Sequence, residues 1–177
     1  MKTLNQFINE AYKTYRLNNV IVKYDCHPNE FIIQAPETFQ ESDIQQYMDD
    51  KLLINLPSGE QYSEQFFGKN YENIYDVHFE YDTFEHLDSE KKINEKDINL
   101  KWDPKYNNAK NKDIVLNYYK VINLKYIIEF DRFDILNGND DNVKAVLDEV
   151  FSATVSNAEN EYPIEISLDT KNIEYSK

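Results

Sequence analysis

At 177 residues the chain is long enough for one domain with a substantial core. Its 33 acidic against 19 basic residues give a formal net charge of −14, a field that repels phosphate backbones and anionic lipid headgroups and so argues against direct nucleic-acid or membrane binding. A single cysteine, Cys26, excludes an intramolecular disulfide framework, and no apolar run approaches the length of a membrane-spanning helix.

The apolar residues are mostly aromatic, with 14 Tyr and 10 Phe against 2 Met and 1 Trp, a composition that suits half-buried sheet faces. Thr3 and Gln6 form a capping box ahead of Leu4, Phe7, Ile8, Ala11, Tyr12 and Tyr15, which predicts an amphipathic helix over residues 4–17 rather than a secretory signal. Val20, Val22 and Tyr24 then alternate with polar residues, and Pro28-Asn29 separates them from Phe31, Ile33 and Ala35, which predicts a hairpin with Cys26 as a strand residue. Ser42 and Gln45 make a second capping box before Ile44, Tyr47, Met48 and Leu52, a short helix that ends before Pro57-Ser58-Gly59.

From Tyr75 the period is two, with Tyr75, Val77, Phe79 and Tyr81 on one side and Asp76, His78, Glu80 and Asp82 on the other. Residues 88–113 are rich in Lys, Asn, Asp and Glu, so they are expected to form a long mobile loop. That loop would divide two subdomains, an N-terminal α+β part over 1–87 and a C-terminal part over 114–177 that reads strand, strand, helix, strand. In the second part Ile114 to Leu136 is long enough for two strands or one bent strand, a helix begins near Asn139 or Asp140 and carries Val143, Leu147 and Phe151, and Ile164 to Tyr175 reads as a last strand. The expected architecture is therefore α+β, a single domain with a mostly antiparallel sheet and about three helices.

No pattern in the chain reads as a catalytic or cofactor site. Gly-rich phosphate loops and nucleophile elbows are absent, and the lone Cys26 has no signature of a nucleophile. His27, His78 and His86 are scattered, and although His78 shares a strand face with Asp76, Glu80 and Asp82, alternate side chains on one strand stand about 6.6 Å apart, too far to close on one ion. No metal and no cofactor are expected on that basis. Asp131, Asp134, Asn137, Asp140 and Asp141 miss the spacing of a calcium loop, and Asp169-Thr170-Lys171 is too short a likeness to a nuclease motif to carry weight in so acidic a chain.

The strongest compositional signal is the stretch 70–90, which holds Glu72, Asp76, Glu80, Asp82, Glu85, Asp88 and Glu90 and not one Lys or Arg. It reads either as a solubilising surface or as an acidic interaction face that steers a basic partner, with aromatic residues of the same stretch as core or as anchors.

The first eleven residues, Met1-Lys2-Thr3-Leu4-Asn5-Gln6-Phe7-Ile8-Asn9-Glu10-Ala11, resemble the capsid-targeting peptides of internal head proteins in T-even bacteriophages. They are also similar to the starts of crAss-like phage proteins. In the T-even family a prohead protease cuts after a glutamate two places beyond Leu or Ile, which the resemblance maps onto Ile8 and Glu10, with Ala11 as the new N-terminus. The likeness covers eleven of 177 residues and departs at Leu4, so it bears on delivery rather than activity. Together with the absence of a catalytic motif, it leads to the expectation of a non-enzymatic tailed-phage protein, virion-associated as internal cargo or as a capsid or tail accessory, acting through protein–protein contacts. The alternative is an acidic anti-defence inhibitor (anti-CRISPR-like or a DNA mimic) or an immunity protein, bound to a basic host protein in the host cytoplasm.

Overall fold

The computed structural model describes residues 14–52, 68–88, 92–106, 114–136, 141–151, 155–156 and 165–177. In chain order these form β1 (Tyr15–His27), β2 (Glu30–Pro36), α1 (Glu41–Leu52), β3 (Ile74–Glu80), β4 (Thr83–Leu87), β5 (Leu116–Ile122), β6 (Lys125–Ile135), α2 (Val143–Phe151), β7 (Val155–Ser156) and β8 (Glu165–Ser176). Short 3-10 turns at Gly68–Asn73 and Glu95–Asp97 complete the set. The architecture is α+β, one domain built on two antiparallel sheets: sheet A runs β3-β6-β1-β8-β7 and sheet B runs β2-β5-β4.

Three connections that look like hairpins are corners instead. β1 and β2, β3 and β4, and β5 and β6 are each joined by a tight turn, yet the members of each pair lie in different sheets. The hairpin expected across Pro28-Asn29 is therefore corrected. β1 pairs with β6 and β8, and β2 pairs with β5. The corners are bonded to one another: Asn123 N–H donates to Asn29 O at 2.8 Å, Asp82 N–H to Ile122 O at 3.0 Å, and Cys26 N–H to Leu124 O at 2.9 Å. Asn123 takes φ +57°, a left-handed conformation that asparagine tolerates better than most residues.

Sheet A and sheet B each draw strands from both sides of residues 88–113, so the chain does not divide there into two subdomains. Nor does the described part of that stretch, 92–106, hang free. Leu100 is fully buried and Ile98 nearly so. Asn99 and Leu100 donate from their backbone amides to Ile32 O at 2.9 and 3.1 Å, Gln34 N–H donates to Leu100 O at 2.8 Å, and the Asn99 side chain accepts from Ile32 N–H at 2.8 Å. The outer edge of β2 is thereby covered, as an unpaired edge in a stable sheet generally must be.

Helix α1 seals the corresponding edge of sheet A. Gln45 donates to Phe79 O at 2.8 Å and Asp49 accepts from Phe79 N–H at 3.2 Å, so two side chains substitute for a neighbouring strand beside β3. On its other side Tyr47 donates to Lys101 O at 2.8 Å and accepts from Asp103 N–H at 2.9 Å, while Lys51 pairs with Asp103. The capping expected from Ser42 and Gln45 is made two residues earlier, where Asp43 accepts from Gln40 N–H at 2.8 Å. This shift leaves Gln45 free for the sheet edge.

Inward residues of both sheets, Ile44, Tyr47, Met48 and Leu52 of α1, and Val143, Leu147 and Phe151 of α2 form one core. Phe130, Phe133 and Phe151 meet at ring separations of 5.2 to 5.9 Å and tie α2 onto β6. Two helices rather than three stand among the described residues. Of the helix expected over 4–17, residues 4–13 lie outside the described set, and Tyr15–Leu17 belong to β1. β1 shifts register against β8 between Asn18 and Ile21, with Asn19 at φ +49°, and Leu17 and Val20, three apart across this bulge, are both buried.

Candidate functional site

The acidic residues singled out from the sequence do not form one face. Asp76 and Glu80 stand together on the outward side of β3, Glu72 is exposed in the turn before it, and Asp88 is exposed after β4. Glu85 lies in sheet B, Asp82 sits in the β3–β4 corner, and Glu90 is outside the described residues. The fold also supplies the bases that the local sequence lacks. Lys23 approaches Glu80 at 3.8 Å, Lys120 lies 3.3 Å from Glu85 and 3.8 Å from Glu30, and Lys125 lies 3.1 Å from Asp82. Asp82 also accepts from Asn123 Nδ2 at 2.9 Å, and these two contacts hold its carboxyl below the usual carboxylate range.

What remains is concentrated on β3. Its pairing with β6 slips between Ile74 and Asp76: Ile74 faces Phe130 and Asp76 faces Glu129, so Tyr75 is an extra residue in the edge strand. Such a bulge redirects the side chains around it. Tyr75 is thrown outward and is 69% exposed, in contrast to the inward position that its alternation with Val77 and Phe79 predicts. Asp76 is turned to the outer face directly opposite Glu129, two like charges across a strand pair, an arrangement that is destabilising by itself.

His78 follows on the same face, and Asp76, His78 and Glu129 bring one donor atom each to within 4.8 Å of one another. Its Nδ1 lies 2.9 Å from Asp76 Oδ2, sealed from solvent and out of line for a hydrogen bond. Its Nε2 lies 3.4 Å from Glu80 Oε1. Among the described residues neither Asp76 nor Glu129 has a lysine or arginine partner, whereas Glu80, Asp82 and Glu85 each have one. The distance objection raised from a single strand is thus met by the neighbouring strand. Glu129 escaped the sequence reading because only the bulged register of β3 on β6 brings it to Asp76. The signal available beforehand was its place, Ile128-Glu129-Phe130, as an acid interrupting an apolar run.

Elsewhere the candidates resolve into structural roles. Cys26 is buried in β1, and burial pushes its thiol up to about 12. Asp134 is held by Arg16 at 3.2 Å and Arg132 at 3.1 Å. Ile8, Glu10 and Ala11 lie outside the described residues, as do Asn137 and Asp140. No helix among the described residues is long and apolar enough to cross a membrane.

The fold thus defines a two-sheet α+β domain with a carboxylate-rich patch on the edge strand of its larger sheet. No protein-family model matches the chain, and no curated protein or solved structure matches it.

Proposed function

We propose that this is a non-enzymatic, virion-associated bacteriophage protein that acts through protein–protein contacts, with the outward side of β3 around Tyr75, Asp76 and Glu80 as its contact surface. The observation that carries the contact surface is Tyr75, a large aromatic 69% exposed on a bulge and flanked by carboxylates. A rigid aromatic anchor within a charged rim is the composition of a binding hot spot, and the charge selects a basic protein. The phage context rests on the resemblance of residues 1–11 to capsid-targeting peptides. Mass spectrometry of purified virions tests it. The protein is expected in the particle with Ala11 as its first residue, and Glu10→Ala is expected to leave it uncut. Absence from the particle removes the virion reading.

The acidic patch also fits an intracellular inhibitor of a basic host protein, either an anti-defence protein or an immunity protein. Such a protein is made after infection and need not be in the virion. Under either reading association slows as salt shortens the Debye length from about 30 Å to about 8 Å. Asp76→Asn with Glu80→Gln is expected to slow it similarly, and on-rates indifferent to both would end the acidic-contact mechanism.

A further inference from the structure

The geometry points to a divalent transition-metal site on the outer face of sheet A, with Asp76, His78 and Glu129 as its protein ligands. The site shares Asp76 and Glu80 with the contact surface proposed above, but metal titration of the chain alone reads it with no partner present. Its basis is the convergence of an imidazole and two carboxylates from two strands, together with the state of His78 Nδ1. That nitrogen is sealed from solvent and has no hydrogen bond, although Asp76 Oδ2 is only 2.9 Å away. Neighbouring ligands of an ion bound at ~2.1 Å are separated by about 3.0 to 3.4 Å, so Asp76 and His78 already stand near adjacent positions around one. Glu129, within 4.8 Å of both, closes the third position by a side-chain rotation.

The surroundings of His78 match those of a metal-binding histidine. Ligating imidazoles usually give their second ring N–H to a carboxylate, which fixes the tautomer and turns the ring. Here Glu80 Oε1 lies 3.4 Å from Nε2, and the Glu80 carboxylate is itself approached by Lys23 at 3.8 Å. The tautomer with its proton on Nε2 leaves the Nδ1 lone pair free for an ion held beside Asp76 and Glu129. A cation there also relieves the facing of Asp76 and Glu129 across the strand pair, which no lysine or arginine among the described residues does.

The donor set selects the class of ion. One nitrogen and two carboxylates favour first-row divalent ions such as Zn²⁺ or Mn²⁺ over Mg²⁺ and Ca²⁺, which prefer oxygen alone. With Asp76 on an exposed edge strand, the remaining coordination positions face solvent.

The test is calorimetric titration of the full chain, stripped with chelator, using Zn²⁺ with Mg²⁺ as control. One equivalent of Zn²⁺ is expected to bind, Mg²⁺ at least tenfold more weakly, and His78→Ala or Glu129→Gln is expected to weaken Zn²⁺ tenfold or more. Glu80→Gln, a change at a positioning residue, is expected to weaken it about tenfold by loosening the ring. A second readout uses the unaltered chain and so does not depend on the variants folding: of the three histidines, His78 ring resonances should shift on adding Zn²⁺ while those of His27 and His86 stay. No stoichiometric binding, affinity unchanged by Glu129→Gln, or shifts confined to His27 or His86 would each overturn the assignment.

Discussion

Asn123 donates through Nδ2 to Asp82 Oδ2 at 2.9 Å, joining two of the three corners at which the chain passes from one sheet to the other. Asn123 N–H reaches the third corner at Asn29 O. A carboxylate that reads from the sequence as part of an interaction face therefore works as a structural tie. Asp82→Ala is expected to lower the thermal midpoint, whereas Asp76→Asn leaves it unchanged or raises it by removing one of two facing acids. Because the folded-state pKa of Asp82 is held down by Asn123 and Lys125, its contribution is present above the ordinary carboxylate range and lost as pH falls through the lowered value. Thermal melts of wild type and Asp82→Ala should therefore converge in acid, and equal midpoints at neutral pH would refute the tie.

Asp49 has the opposite sign. Burial pushes its carboxyl above the usual range, although Gln45 and Phe79 N–H both donate to it and His78 favours the charged form. The folded state thus holds its proton to higher pH than the unfolded chain does, and stability falls as pH rises from the unfolded value to the raised one. Asp49→Asn keeps an acceptor for Phe79 N–H and is expected to flatten that slope. Asp49→Ala leaves the amide at a sheet edge without its acceptor and should destabilise by about 1–3 kcal/mol in urea unfolding at pH 7. Similar midpoints for the two variants would show that the bond to Phe79 contributes nothing.

Cys26, buried with its thiol pushed up to about 12, is almost wholly protonated at pH 8. Reaction with an aromatic disulfide reagent is expected to be slow in buffer and fast in denaturant, at a native rate set by opening of β1 between its partners β6 and β8. Fast labelling without denaturant would place the thiol at the surface.

How far the fold was legible depended on whether apolar spacing stayed regular. Val77 and Phe79 keep period two, so β3 could be read directly, while Ile114 to Leu136 reads only as two strands or one bent strand, which the structure resolves as β5 and β6. Leu17 and Val20 stand three apart across a bulge, so the period of two is legible only from Val20 onward and the start of β1 is not. The partition into two sheets left no local trace, because a corner and a hairpin share the same turn residues and differ only in distant partners. The metal cluster was half visible for the same reason. Asp76, His78 and Glu80 share a face by alternation, while Glu129 joins them only through a register that Tyr75 shifts by one residue.

The stretch Ile98-Asn99-Leu100-Lys101-Trp102 is the most direct test of how the edge of sheet B is closed. Its apolar residues alternate as in a strand, but the surrounding lysines, asparagines and acids made the whole of 88–113 read as a mobile loop. Leu100 is fully buried in the core, so Leu100→Ala removes apolar contacts and leaves a cavity, a change that costs about 2–5 kcal/mol in comparable sites. Asn99→Ala leaves Ile32 N–H without its side-chain acceptor and is expected to cost about 1–3 kcal/mol. Both should lower the urea midpoint with an unchanged slope, since the surface exposed on unfolding is the same. Limited trypsin digestion gives the complementary readout. Lys101 lies beside Leu100, and its carbonyl accepts from Tyr47 at 2.8 Å, so the bond after Lys101 is expected to resist cleavage in the native protein and yield once Leu100→Ala loosens the segment. Early native cleavage after Lys101, together with a Leu100→Ala midpoint equal to wild type, would return residues 92–106 to the role of a free loop.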